Sequence, residues 1–287
     1  MKKQSNDQGI QINKYISNSG FCSRREADKL VDDARVTIND ELAISTSRVV
    51  TGDVVAIDGE KIKSKQRPIY IALNKPVGVT STTDMSDKTN IIRFMNHPKR
   101  IFPIGRLDKD SEGLILLTND GDIVNKILRA GNKHEKEYIV TTDRPVTDDF
   151  IRRMSSGIPI AELETTTKNC HVERLSRFAF KIILIQGLNR QIRRMCEYLE
   201  YEVLTLKRIR IMNINLGNLE LGTWRDLTPE EVKELQEAVS DSNNNSYAGQ
   251  TPPQAPELEK RTPLVRAPRN TERPSQDGPR RRRGRNT

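Results

Sequence analysis

The residues best suited to covalent chemistry lie in one stretch, Pro103-Ile104-Gly105-Arg106-Leu107-Asp108-Lys109-Asp110-Ser111-Glu112-Gly113-Leu114. It sets the carboxylate of Asp108 between Arg106 and Lys109, in a glycine-bounded loop that runs into an apolar strand. Cationic neighbours favour the charged form of a carboxylate, and a charged carboxylate can act as a nucleophile. Gly105 and Gly113 allow unusual backbone angles or the close approach of a ligand. Leu114-Ile115-Leu116-Leu117 would anchor the loop on a rigid element. From spacing alone, a turn with solvated charges is the commoner reading of such a loop.

Other chemistries lack their motifs. The chain has no GxxxxGK[ST] phosphate loop, no GxGxxG dinucleotide fingerprint and no GxSxG elbow. His97, His134 and His171 are far apart. His171 adjoins Cys170, but neighbours in a strand point to opposite faces, so no metal site is expected. Cys22, Cys170 and Cys196 are odd in number and widely spaced, which argues against a disulfide framework and fits a reducing cytosol. No run of 18 apolar residues is present, and the residues after Met1 contain no apolar signal core. A cytoplasmic protein is the expectation.

The elements that must hold the loop fall into groups. Ile12, Tyr15, Ile16 and Ser19 are spaced for a helix that Gly20 can stop. Ser23-Arg24-Arg25-Glu26 is a capping box for a second helix with Ala27, Leu30 and Val31 as its apolar stripe. Arg24, Arg25 and Lys29 stand near its start, where the helix dipole disfavours cations; an external anion would help to hold them. Short β-like runs follow at Val36–Asn39 and Val54–Ile57. A polar linker is expected at Lys63–Arg67. Beyond it, strands are expected at Ile69–Leu73, Gly113–Leu117, Tyr138–Thr142, Phe178–Gln186, Val203–Ile211 and Leu219–Leu221. Helices are expected at Asp122–Arg129, Thr147–Ser155, Gln191–Tyr198 and Pro229–Val239. Strands outnumber helices without regular alternation, which predicts an α+β fold with a mixed or antiparallel sheet.

Charge sets the kind of partner. The 287 residues carry a net charge of +9. Ten Lys/Arg and five Asp/Glu lie from Asp241 onward, which leaves the body only mildly basic. That tail holds seven of the 14 prolines and ends in Arg280-Arg281-Arg282-Arg283-Gly284-Arg285. Its composition predicts disorder. A solubilising extension and a flexible arm that gathers RNA phosphates are both open readings.

Four ordered motifs give the loop a context. Gly105-Arg106-Leu107-Asp108 with Ser111-Glu112-Gly113-Leu114 resembles the active-site motif of bacterial pseudouridine synthases of the small-subunit (RsuA) family. Lys75-Pro76-Val77-Gly78 looks like the family's KPxG segment, Lys136-Glu137-Tyr138 like its KxY motif, and Asn189-Arg190-Gln191-Ile192-Arg193-Arg194-Met195 like its NRQIRRM motif. Asn13-Lys14-Tyr15 through Ala27 resembles an S4 RNA-binding domain. The resemblance covers about residues 10 to 240.

The resemblance implies a function and its residues. Asp108 matches the family's nucleophile, which isomerises uridine to pseudouridine without a cofactor. Tyr138 would pack against a uracil flipped from its stack, and Ile192 would touch the base. Arg193 matches the arginine that pairs with the catalytic aspartate. Arg106 would fill the gap or hold a phosphate, while Arg190 and Arg194 carry no assigned chemistry. Lys14, Arg24, Arg25 and Lys29 would dock structured RNA. The implied organisation is a flexible 1–8, an S4-like domain at 9–66, a mixed-sheet catalytic domain at 67–240 and a disordered basic tail at 241–287. The expected partners are 23S rRNA and, as a further candidate, tRNA, with the protein monomeric. A non-catalytic S4-type ribosome assembly factor and a synthase for 16S rRNA stand as alternatives.

Overall fold

The computed structural model describes residues 9–62, 66–128 and 134–240. The expected flexible N-terminus, most of the Lys63–Arg67 linker, Arg129 at the end of the expected Asp122–Arg129 helix, and the basic tail lie outside them.

The N-terminal module starts with β1 (Ile10–Gln11), which leads into α1 (Ile12–Asn18). Ile12 and Ile16 sit one turn apart, and both are fully buried. Helix α2 (Arg24–Asp32) starts as its sequence dictates. The Ser23 hydroxyl accepts from the Glu26 amide at 3.2 Å, and the Glu26 carboxylate accepts from the Ser23 amide at 2.7 Å. Losing such a cap costs about 1 kcal/mol. Short strands follow: β2 (Val36–Ile38), β3 (Glu41–Leu42), β4 (Arg48–Val49), β5 (Val55–Ile57) and β6 (Glu60–Lys61). They form a four-stranded sheet in the order β3-β2-β5-β6, while β4 returns to pair with β1. Ala27 and Val31 of α2 close over Ile12, Ile16, Val36, Val55 and Ile57 in one small core.

The second module is a nine-stranded mixed sheet. Its strands include β7 (Tyr70–Lys75), β8 (Phe102–Ile104), β9 (Glu112–Thr118) and β10 (Lys136–Thr142). A separate hairpin, β11 (Pro159–Ile160) with β12 (Thr165–Thr166), precedes β13 (His171–Ser176) and β14 (Ala179–Leu184). Then come β15 (Val203–Ile211), β16 (Ile214–Asn215) and β17 (Trp224–Asp226). The spatial order is β13-β14-β10-β15-β9-β7-β17, with β8 added to β9 and β16 to β15. All pairings are antiparallel except the one between β9 and β15.

Helices cover both faces of this sheet, so its central strands read as continuous apolar runs. On β7, Ile71 and Leu73 enter one core while Tyr70 and Ala72 enter the other. The first face packs under α3 (Ile91–Met95), α5 (Asp148–Ser155) and α6 (Gln191–Tyr198) through Ile91, Met95, Phe150, Met154, Ile192 and Met195. The second packs under α4 (Gly121–Leu128) and α7 (Pro229–Ala238) through Ile123, Ile127 and Leu235. Each fully buried Leu or Ile contributes about 1.5–3 kcal/mol.

One expected strand is absent. Leu219–Leu221 is irregular, and the chain pairs with β7 only from Trp224 to Asp226. Gly217 and Gly222 have φ of +56° and +81°, so the chain turns through this segment. Asn74 pins the turn: its side-chain amide donates to the Leu219 carbonyl at 2.8 Å, and its carbonyl accepts from the Gly222 amide at 2.8 Å.

Candidate active site

Sheet register brings the loop of residues 105–111 to the side of β15. Gly113 on β9 stands opposite Arg208 on β15 in the parallel pair. Its φ is +105°, and a Cβ there would lie 2.3 Å from the Arg208 carbonyl oxygen. The neighbour that demands this glycine is therefore a strand backbone. At Gly105, φ is +80° and a Cβ would come within 2.7 Å of the Leu128 side chain.

The loop is clamped on both sides of Asp108. The Ser81 hydroxyl donates to the Leu107 carbonyl at 2.7 Å, and the Leu107 amide donates back to it at 3.2 Å. The Gly78 amide donates to the Lys109 carbonyl at 2.7 Å. The Ser111 amide donates to the Asp108 carbonyl at 3.1 Å. Leu107 is buried, and the Asp108 side chain, 35% exposed, is held half open. The Lys75–Gly78 segment thus supports the loop. Lys75 itself is fully buried, and its ammonium donates to the Pro76 and Val79 carbonyls at 2.9 and 2.8 Å. Burial, and then the charge of Arg208, push its pKa down to about 8, against the opposing pull of Asp108, Asp110 and Glu112.

Tyr138 and Ile192, the residues expected against the base, both belong with Leu107 to the large apolar core on the first face of the sheet. Tyr138 stands on β10 opposite Ile182 on one side and Arg208 on the other. Ile192 lies in the first turn of α6 and is buried.

The expected ion pair is placed differently. No ion pair within 4.0 Å joins Arg193 to Asp108 among the described residues. The Arg193 Nε lies 3.3 Å from the Asp110 carboxylate. Its Nη2 donates to the Asp110 carbonyl at 2.9 Å and to the Ser111 hydroxyl at 3.2 Å, and its Nη1 donates to the Val203 carbonyl at 3.1 Å. Arg190 is the guanidinium beside Asp108, at 3.8 Å, and it also binds Asp110 at 3.1 Å. Burial works against the charge of Asp110, but the hydrogen bond from Arg190 and the charges of Arg193 and Arg190 hold its carboxyl below the usual range. Arg190 sits at the cap of α6 with φ of +50°, a left-handed conformation uncommon for a residue with a side chain. Arg106 is exposed at the loop surface.

Arg208 is the residue that sequence reasoning missed. It is only 4% exposed. Its Nε donates to the Leu114 carbonyl at 2.6 Å, and its Nη1 to the Arg106 carbonyl at 3.4 Å. Its guanidinium centre lies 5.9 Å from the Tyr138 ring centroid, and its Nη2 is buried without a hydrogen-bond partner. One side chain thus ties together both ends of the Asp108 loop and reaches Tyr138. The available signal was alternation: Arg208 follows the buried Leu206 at the strand period of two. Lys136 stands beside the same arrangement, and burial and then Arg208 push its pKa down to about 8.

In the N-terminal module, Lys14 makes an ion pair with Asp122 in the first turn of α4, at 2.6 Å. This expected RNA contact is occupied by the second module. Arg24, Arg25 and Lys29 are exposed and have no ion pair within 4.0 Å among the described residues.

Both modules have counterparts among known proteins. The family model of the S4 domain matches residues 12–55, and that of the RNA pseudouridylate synthases matches residues 69–198. The dual-specificity RNA pseudouridine synthase RluF of Salmonella typhi is 55% identical over 242 residues, covering 84% of this chain and 83% of its own length. The ribosomal large subunit pseudouridine synthase B of Bacillus subtilis (strain 168) is 34% identical, covering 82% of this chain and 99% of its own length. A crystal structure of a pseudouridylate synthase superposes with a TM-score of 0.60 at 28% identity, covering 79% of this chain and all of that one.

Proposed function

This chain belongs to the RNA pseudouridine synthase family, with an S4 domain ahead of the catalytic fold, and from that premise we propose that Asp108 is the nucleophile converting a specific uridine of 23S rRNA, and a uridine of tRNA, to pseudouridine. The reaction breaks the bond from uracil N1 to ribose C1′ and forms one from C5 to C1′. The C5 proton is released and N1 gains one, so atoms and charges balance without a co-reactant.

The observation that carries this reading is the setting of Asp108. Its carboxylate is half open, while its backbone is clamped by Ser81, Gly78 and Ser111. A reacting group held this way loses little freedom when substrate arrives. Tyr138 and Ile192 supply an apolar wall for a base swung out of its stack. Arg190 stands beside the nucleophile, and Arg193 positions the loop through Asp110 and Ser111. Arg106 is exposed for a phosphate or for the gap that the flipped nucleotide leaves. A chain that only binds rRNA has no use for a half-open carboxylate facing a polyanion, which disfavours the assembly-factor reading.

The named activity of the large-subunit synthase B supports large-subunit RNA over 16S rRNA, and the words dual-specificity in the name of RluF support a second RNA. We take residues 9–66 as the RNA-docking unit, 67–240 as the catalytic unit and 241–287 as a basic arm, working as a cytoplasmic monomer. Among the described residues no helix is long and apolar enough to cross a membrane. The test is to map pseudouridines in rRNA and tRNA from a strain lacking this gene, complemented with wild type or with Asp108→Asn. One 23S site and one tRNA site should vanish and return only with wild type. Loss at 16S rRNA alone, or return with Asp108→Asn, overturns the reading.

A further inference from the structure

Between the two modules lies a groove of about 300 Å³, lined by Asn18 and Arg24 on one side and by Arg100, Phe102 and Asn125 on the other. Arg24 and Arg100 both line it. A Cβ placed on Gly121 would lie 4.0 Å from the Arg24 Nη2 and 3.9 Å from the tip of the Phe102 ring. The Arg100 guanidinium centre lies 5.8 Å from the centroid of that same ring.

These two cations have no carboxylate within 4.0 Å among the described residues. The acidic groups nearby make other contacts, and of them Glu26 also feels the charge of Arg100, without an ion pair within 4.0 Å among the described residues. Asp122 pairs with Lys14. Asp120 accepts from the Tyr70 hydroxyl at 3.0 Å and from the Asp122 amide at 3.2 Å. Glu26 accepts from the Ser23 amide at 2.7 Å. Arg24 is also the first residue of α2, where the helix dipole adds to its positive field. Two guanidinium groups facing one gap repel each other unless an anion lies between them. Each presents a planar fork of donors suited to phosphate oxygens. The Lys14–Asp122 ion pair joins the modules across this boundary, on α1 and α4.

We propose that this groove seats the phosphodiester backbone of the substrate RNA, with Arg24 of the S4 module and Arg100 of the catalytic module gripping the same strand. The inference rests on RNA being the substrate, and it adds Arg100 as a contact that neither module provides alone. The two modules then act as one clamp, which fixes the distance between the docked backbone and the base delivered to Asp108.

The test uses the full chain and a large-subunit rRNA stem-loop, with affinity measured from low to moderate salt. Arg100→Ala should flatten the slope of log affinity against log salt by about 0.7–0.9, the value of one lost phosphate contact. KM should rise severalfold while turnover at saturating RNA is retained. Arg100→Lys, which keeps the charge, should recover most of the slope. An Arg100→Ala protein with unchanged slope and KM would overturn the proposal, as would an Arg100→Lys protein as impaired as Arg100→Ala. Failure of the Asp108 reading is read separately, because Asp108→Asn acts on turnover and leaves the salt slope in place.

Discussion

Arg193 grips Asp110 at both its carboxylate, 3.3 Å away, and its carbonyl, 2.9 Å away. The residue two positions past the proposed nucleophile, and not the nucleophile itself, receives this guanidinium. Asp110 also receives Arg190, so one carboxylate anchors two cations from the start of α6 onto the loop. Among the described residues this leaves Asp108 with one looser ion-pair partner, Arg190 at 3.8 Å.

Arg193→Ala should therefore act through loop position. It leaves the buried Val203 carbonyl and the Asp110 carbonyl without their donor, a loss of about 1–3 kcal/mol in stability. Turnover should fall on the order of tenfold to a hundredfold, with RNA affinity little changed. Asp110→Asn should reproduce part of that fall, because it removes the charge both arginines share. Single-turnover kinetics on both variants check this. Normal turnover in Asp110→Asn would mean that the two guanidinium groups are not held through that carboxylate.

Arg208 should tolerate no replacement. Arg208→Met strips the Leu114 and Arg106 carbonyls of a donor, at a cost of about 1–3 kcal/mol for the buried contact to Leu114. Arg208→Lys keeps the charge but cannot donate from a planar fork in two directions. Both variants should lose turnover more than affinity, and lysine should not rescue. Denaturant midpoints together with kcat and KM decide the matter.

The order of legibility follows from range. Helix α6 and strand β15 were readable to the residue, Gln191–Tyr198 and Val203–Ile211, because long periodic runs fix their own ends. Helix α3 was missed: it has five residues, and its stop is Asn96 in the left-handed conformation rather than a glycine. Asp108, Tyr138 and Ile192 were legible through motif resemblance. The ion pairs were not. Arg190 and Arg193 are three residues apart at the start of α6, so both can reach the same loop. Which carboxylate each takes depends on the angle at which α6 meets β9, and no local pattern encodes that. For Arg208 the period of two after Leu206 marks an inward face, but what it reaches there follows only from the register with Gly113.

Ser81 should prove essential to the geometry of the loop. Its hydroxyl satisfies both the amide and the carbonyl of buried Leu107. Ser81→Ala should cost about 1–3 kcal/mol and lower turnover with KM unchanged, since the freed peptide adjoins Asp108. Thermal melts and steady-state kinetics test this. A variant as stable and active as wild type would show that the clamp is redundant with the Gly78 contact.

The lysines near Arg208 predict an unusual pH dependence of stability. Lys136 has its pKa pushed down from 10.5 to about 8, first by burial and then by Arg208. Between those values the unfolded chain binds more protons than the folded one, so this group's contribution to stability rises with pH. The penalty is full below about 8 and fades toward 10.5. Relative to Lys136→Met, wild type should gain stability between pH 7.5 and 9.5, by at most about 2 kcal/mol. Denaturant titrations at the two pH values give the sign. A gap that is constant or that moves against wild type contradicts the assignment.

The most direct measurement is single-turnover conversion of uridine in a large-subunit rRNA fragment by Asp108→Asn, alongside its affinity for the same RNA. Asparagine keeps the size of the side chain and the clamps from Ser81 and Gly78 while removing the nucleophilic charge. Conversion should be abolished and affinity should stay within about twofold, a difference of roughly 0.4 kcal/mol. Conversion at the wild-type rate would contradict the account at its centre, because the half-open carboxylate would then have no part in the chemistry.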